Sequence, residues 1–258
     1  MNSLTTQIES RLKELAKDTD DFRKSEFFQN YLDTMSKFWD YSLHNQLLIF
    51  FASPTATRVA GYRTWQKLGR QVKKGSQAIH ILAPSTKKVE QDEENDEITY
   101  FFPVSVFDIS QTEGQELPSV DVELSGEDKK WLLEKLLDFC TQKGIKVEFK
   151  SLGVNGLYGY SRGGEIAIAS QSSINMQVST LIHEIAHELL HQKSALSKQQ
   201  KEIQAESVAY VVSRHFGLDT RSMNYLALYD ADYKKIMETL GTISEAVKEV
   251  VEGVCFCS

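Results

Sequence analysis

The sequence predicts an α+β fold in two parts, and three observations carry the expectation. Helical periodicity occurs near residues 4–17, 25–51, 127–142, 180–191, 201–212 and 219–251. Strand alternation and hairpin signals occur near 78–82, 86–108, 145–149 and 157–169. Between the two sets, residues 110–121 carry turn-formers and little periodicity, which places a domain boundary near Pro118 and divides the chain into 1–118 and 119–258. No internal repeat is visible.

Composition narrows the class. With 258 residues, 41% hydrophobic and 25% charged, the chain reads as a globular protein of one large or two small domains. No run of 18 apolar residues exists, so no membrane helix is expected. Residues 1–7 lack the basic and apolar regions of a secretory signal, and a cytoplasmic protein is expected. Cys140, Cys255 and Cys257 are odd in number and lack metal-type partners, so they read as reduced thiols. A net charge of -7 argues against a chain that coats nucleic acid along its whole surface, but permits a local basic patch.

The first helix, 4–17, is amphipathic through Leu4, Ile8, Leu12 and Leu15 and is broken by the acidic stretch 18–21. A longer one is expected over 25–51, with Ser25 as N-cap, a core stripe through Phe28, Leu32, Met35, Phe38 and Trp39, and Pro54 as terminator. Residues 58–75 differ in character. Arg58, Arg63, Lys67, Arg70, Lys73 and Lys74 are six bases with no acid among them, interleaved with Tyr62 and Trp65. Cations that follow phosphates and rings that stack on bases suit single-stranded nucleic acid; a solvated basic face with Trp65 in the core fits the same composition. A strand at 78–82 is expected to stop at Pro84. Residues 86–108 read as a hairpin whose loop, 90–97, is a solvated acidic run.

In the second half, a helix over 127–142 is expected to bury Trp131, Leu132, Leu136 and Phe139 and to end at Gly144. A strand at 145–149 follows, then a hairpin at 157–169 turning at Arg162, Gly163 and Gly164. An exposed strand just before a catalytic helix is a place where a peptide can pair. The helix at 180–191 carries His183-Glu184-Ile185-Ala186-His187, with Leu181, Ile182, Ile185 and Leu189 on its apolar side. Two imidazoles four residues apart leave one helix face about 6 Å apart along the axis and reach one zinc ion. Glu184 lies beside that ion as a general base. His191 lies too far along the axis to join and reads as a core or surface histidine.

Two histidines need a third protein ligand and an open position. The next helix offers Glu202 and Glu206, one turn apart. One can bind the metal while the other holds the Nδ1–H of a liganding histidine. Ala205 and Ala209 permit close approach of the two helices. The remainder, 219–251, is helical, packing through Ile236, Leu240, Ile243, Val247 and Val251. Tyr225 and Tyr229 near its start read as ordinary tyrosines.

The residues 183–191 and 202–212 together resemble the metallopeptidase part of ArdC-type antirestriction proteins, a group related to the ImmA/IrrE peptidases. The first half is similar to their N-terminal domain at 41–49, 61–75 and 106–114, among them Asn45, Gln46, Gly61, Tyr62, Trp65, Gly69, Asp108 and Gln111. The resemblance implies a single-stranded DNA-binding domain joined to a zincin-like, gluzincin-like metalloprotease domain. It implies Zn2+ held by His183, His187 and Glu202, Glu184 as catalytic base, and Glu206 supporting the ligands. It also implies carriage on a mobile genetic element and protection of incoming DNA from restriction. Two other functions fit the same chain: a non-catalytic single-stranded DNA-binding antirestriction protein, and an ImmA-like protease that cleaves a repressor without DNA. The acidic insertion at 90–97 departs from the family pattern.

Overall fold

The computed structural model describes residues 3–18, 21–91, 94–116, 129–154, 156–192, 194–218 and 232–256. In chain order the elements are helices α1 (Ser3–Lys17), α2 (Asp21–Lys37) and α3 (Leu43–Ala52), strand β1 (Val59–Gly61), helix α4 (Tyr62–Lys67), and strands β2 (Arg70–Val72), β3 (Ile79–Gln91) and β4 (Glu94–Asp108). A 3-10 turn and β5 (Thr112–Gly114) follow, then α5 (Lys130–Gln142), β6 (Lys146–Lys150), β7 (Gly159–Ser161), β8 (Glu165–Ala169), α6 (Ile174–His191), α7 (Lys198–His215) and α8 (Tyr233–Phe256). The expected α+β class is what forms. Two compact units result: Met1–Glu14 with Tyr41–Val120, and Leu15–Asp40 with Asp121–Ser258. Pro118, the start of the helix expected from 127, Tyr225, Tyr229 and Cys257 lie outside the described residues. Among the described residues no helix is long and apolar enough to cross a membrane.

In the first unit an antiparallel sheet runs β1-β4-β3, with α3 packed on β3. The buried Asn45 side chain is fixed twice to Leu82: its Nδ2 donates to the carbonyl at 2.8 Å and its Oδ1 accepts from the amide at 2.8 Å. It thus satisfies backbone groups of an edge strand that would otherwise be unpaired. Asp108 does similar work at the end of β4. Its Oδ1 accepts from the amides of Thr57 and Arg58, and its Oδ2 from the amide and hydroxyl of Ser110. Gln111 closes the turn, accepting from the Asp108 amide and donating to the Gln77 carbonyl. A Cβ on Gly114, which has φ +130°, would sit against the Gly69 carbonyl, so β2 and β5 pair this closely only because side chains are absent there.

Four expectations are corrected. The helix over 25–51 is two helices, because Ser42 caps a new start at Leu43 by accepting from the Asn45 amide. Apolar residues continue at helical spacing on both sides of the break, so periodicity alone does not register it. Pro84 does not end its strand. It pairs with Phe101 inside the long β3–β4 hairpin, on an edge strand where a missing N–H faces no partner. The acidic loop is correspondingly narrower than 90–97, since pairing extends to Gln91 and Glu94. Trp131 is 39% exposed, resting edge-on against Phe216, while Leu133 takes the buried position.

The second unit has a sheet in the order β6-β8-β7, parallel between β6 and β8 and antiparallel between β8 and β7. The buried central strand, Ile166 to Ala169, lies on α6. α6 in turn packs on α5 and α7, and α7 on α2 and α8. Leu181, Ile182 and Ile185 of α6 are fully buried, each worth roughly 1.5–3 kcal/mol on removal from water. Strand β7 is the edge of this sheet, paired with β8 on one side, and its Ser161 meets Glu184 of α6 on the other.

Candidate metal centre

Helix α6 starts where Ser173 accepts from the Met176 amide, and α7 where Ser197 and Gln200 form a reciprocal capping box. Both run 18 residues and lie against each other, with Ala205 fully buried at the contact. The pairing brings His183, His187 and Glu202 together. The two Nε2 atoms are 3.1 Å apart, and Glu202 Oε2 lies 3.5 Å from one and 3.6 Å from the other. Metal bonds of about 2.0–2.1 Å in tetrahedral directions place ligand atoms roughly 3.3 Å apart. These three separations therefore match one face of a tetrahedral site, and His183 and Glu202 also line a cavity of about 580 Å³.

Both histidines are poised as neutral donors. Burial, with His187 beside it, lowers His183 to about 4. Burial also lowers His187. Glu184 is buried on the adjacent side of α6, and desolvation pushes its carboxyl up to about 7 although Ser161 of β7 hydrogen-bonds it. Glu188, one turn on, accepts from the Gly164 amide at 2.6 Å and from Gln192 at 2.7 Å. It fastens the β7–β8 turn to α6. Gly159 lets β7 lie close, because a Cβ there would meet Thr180 of α6 at 2.5 Å.

His191, expected as a core or surface histidine too distant to join the ion, is a buried one that contacts the centre through His187. His191 is buried, and its Nδ1 lies 3.0 Å from His187 Nδ1 while its Nε2 lies 3.0 Å from Gln204 Oε1. One proton arrangement satisfies the chain: His191 Nε2–H donates to Gln204, His187 Nδ1–H donates to His191, and the lone pair of His187 is left on Nε2, facing the metal position. Glu206 was expected to support a liganding histidine. It lines the cavity instead, half-buried, with burial and the nearby Glu202 raising its pKa. The sequence signal for His191 was its place one further turn along the histidine row; nothing marked Gln204.

The basic segment of the first unit is not one surface. Trp65 is fully buried and its indole N–H donates to the Phe107 carbonyl at 2.9 Å, so its ring has no face for a base, and the stacking role expected of it is corrected to a core role. Arg70 is spread over Thr112 Oγ1, the Thr112 carbonyl and the Gln115 carbonyl. Lys73 reaches the Ser110 carbonyl at 3.0 Å. Tyr62, which accepts from Gln71, is 43% exposed. Arg63, Lys67 and Lys74 are exposed, and Arg58 is half-buried.

Fold and site together define a chain of two units, an α+β unit and a second unit that carries the histidine helix with its own small sheet. Residues 1–113 match the family described as the N-terminal domain of anti-restriction factor ArdC, and residues 140–251 match the IrrE N-terminal-like domain of peptidase family M78. The chain thus joins an ArdC-type N-terminal domain to an IrrE-like domain of peptidase family M78. It is similar in fold to the metal-free antirestriction protein ArdC of plasmid R388, with TM-score 0.53 and 19% identity over 83% of this chain and 85% of that one. Against the Mn(II)-bound form the TM-score is 0.51 at 20% identity, covering 84% and 90%. An uncharacterised protein of Bacillus anthracis, pXO2-81, is 26% identical over 253 residues, 79% of this chain. The chain spans 43% of that relative's length.

Proposed function

We propose that the chain is a zinc-dependent metallopeptidase associated with single-stranded DNA, serving antirestriction-like protection of DNA entering on a mobile element. Residues 1–118 are assigned the DNA-binding part and 119–258 the peptidase part. The observation that carries the catalytic reading is the convergence of His183, His187 and Glu202 on one point, with buried Glu184 beside it and the edge strand β7 alongside. His183, His187 and Glu202 would hold zinc, which supplies Lewis acidity toward a water and a peptide carbonyl. Glu184 accepts the proton of the attacking water and returns it to the leaving amine. A substrate strand adds to β7, its backbone satisfied by that edge while its side chains reach the cavity.

The test is incubation of zinc-loaded protein with candidate proteins, with and without single-stranded DNA, beside Glu184→Gln. The amide keeps shape and loses the base, so cleavage is expected to fall at least about 10²-fold while zinc is retained. Undiminished cleavage by the metal-replete variant would remove Glu184 from the mechanism. A second reading, a DNA-binding antirestriction protein without proteolysis, is favoured by exposed Tyr62 among Arg63, Lys67 and Lys74. Oligonucleotide titration of the full chain and of an Arg63→Glu, Lys67→Glu, Lys74→Glu variant tests it. Weaker binding with a flatter salt dependence is expected of the variant.

A further inference from the structure

We propose that Glu206 makes the cavity beside the metal position selective for peptides carrying lysine or arginine next to the bond to be cut. The inference rests on the peptidase reading and names its substrate class. Three acidic residues, Glu184, Glu202 and Glu206, line the cavity, and no lysine or arginine does. Lys201 acts electrostatically on His187 and His191 but is not among the lining residues. A divalent metal balances two of the acids, the ligand Glu202 and the base Glu184. Glu206 is the surplus negative charge. Among the described residues it has no hydrogen bond or ion pair, so its carboxylate remains available to a ligand.

Geometry suits a long cationic side chain. Glu206 lies one turn beyond Glu202 on α7, about 6 Å along the axis. That is roughly the reach of an extended lysine from its own backbone, so a substrate held at the metal can present an ammonium or guanidinium group to Glu206. Leu157, Met176 and Ala209 give the cavity an apolar part of its lining, which takes the methylene stem. A volume of about 580 Å³ holds such a side chain together with adjoining backbone. A glutamate in the same place would face Glu206 as a like charge in a partly desolvated recess.

Binding tests this apart from catalysis. Zinc-loaded Glu184→Gln protein is titrated, by fluorescence anisotropy, with labelled peptides identical except that lysine, methionine or glutamate stands at each central position in turn. At one position the lysine peptide is expected to bind about tenfold tighter than the methionine peptide, and the glutamate peptide weakest. Adding Glu206→Gln should level lysine with methionine, and adding Glu206→Lys should reverse the order. Zinc content and melting temperature are measured on each variant, and the conservative Glu206→Gln carries the comparison if Glu206→Lys does not fold. Equal binding of lysine and methionine peptides, or a lysine preference unchanged by Glu206→Gln, overturns the proposal and leaves the peptidase reading intact. No binding by any peptide overturns both. A lysine preference lost in Glu206→Gln supports the proposal, and cleavage of the preferred peptide by zinc-loaded wild type, measured in parallel, tests the peptidase reading beneath it.

Discussion

Replacing Gln204 by leucine should loosen zinc without touching a ligand. Leucine is close to glutamine in volume and can occupy the buried site, so packing is largely kept while the acceptor of His191 Nε2–H disappears. Two outcomes are open to the imidazole. It can keep its proton on Nε2, leaving a buried N–H unsatisfied at a cost of about 1–3 kcal/mol. Alternatively, the proton moves to Nδ1, where it opposes the Nδ1–H of His187 across 3.0 Å. His187 then escapes the clash by shifting its own proton to Nε2, the atom that must carry a lone pair toward the metal. Either route penalises the metal-binding tautomer. Loss of such a supporting partner typically weakens metal affinity about 10–100-fold, or about 1.4–2.7 kcal/mol. Competition for zinc against a chromogenic chelator measures it. Gln204→Glu keeps an acceptor on the same stem and should bind zinc at least as tightly as wild type. If folded Gln204→Leu holds zinc within about a factor of two of wild type, or if Gln204→Glu falls as far as leucine does, the proton relay is not what orients His187.

Three further outcomes are expected. Metal analysis should find zinc lost from Glu202→Ala and kept by Glu206→Ala, since Glu202 alone of the two lies within bonding reach of both histidines; the opposite pattern reverses the ligand assignment. In metal-free protein, Glu184 has its carboxyl raised from 4.5 to about 7, so its contribution to stability is present at low pH and lost as pH rises through about 7. Glu184→Gln lacks that loss, so its melting temperature relative to wild type should climb between about pH 5 and about pH 8, by the equivalent of no more than about 3 kcal/mol, and a flat difference would place the carboxyl in water. Trp65→Ala should destabilise the first unit by about 3–5 kcal/mol, seen in denaturant unfolding, because it empties a filled core site and strands the Phe107 carbonyl; a loss under about 1 kcal/mol would contradict its burial.

What was legible in the sequence divides by physical cause. The motif on α6 and the two carboxylates of α7 could be read because helical spacing fixes which side chains share a face before any tertiary contact is known. The hairpin at 157–169 could be read because Gly163 and Gly164, both at positive φ, announce its turn. Trp65 could not be placed: an indole among six bases has the same composition whether its ring stacks on a base or, as here, donates inward to β4. Gln204 was hidden for a related reason. Its partner is 13 positions away on another helix, and a buried amide leaves no local pattern. The break at Ser42 leaves no mark on periodicity because the apolar stripe continues across it.

The rows on α6 show why so short a motif fixes a site. His183, His187 and His191 recur every fourth residue and form one line; Glu184 and Glu188, each one position later, form a second line rotated about 100° around the helix. The histidine line meets α7 through Glu202 and Gln204, and the glutamate line meets the sheet through Ser161 and Gly164. The third side, Leu181, Ile182 and Ile185, is locked in the core. A helix held on three sides cannot rotate to relieve any one contact. The separations among the three ligand atoms are therefore set by the packing of the whole unit, and a change in Gln204 or Glu188, neither of which reaches the metal position, is expected to be felt there.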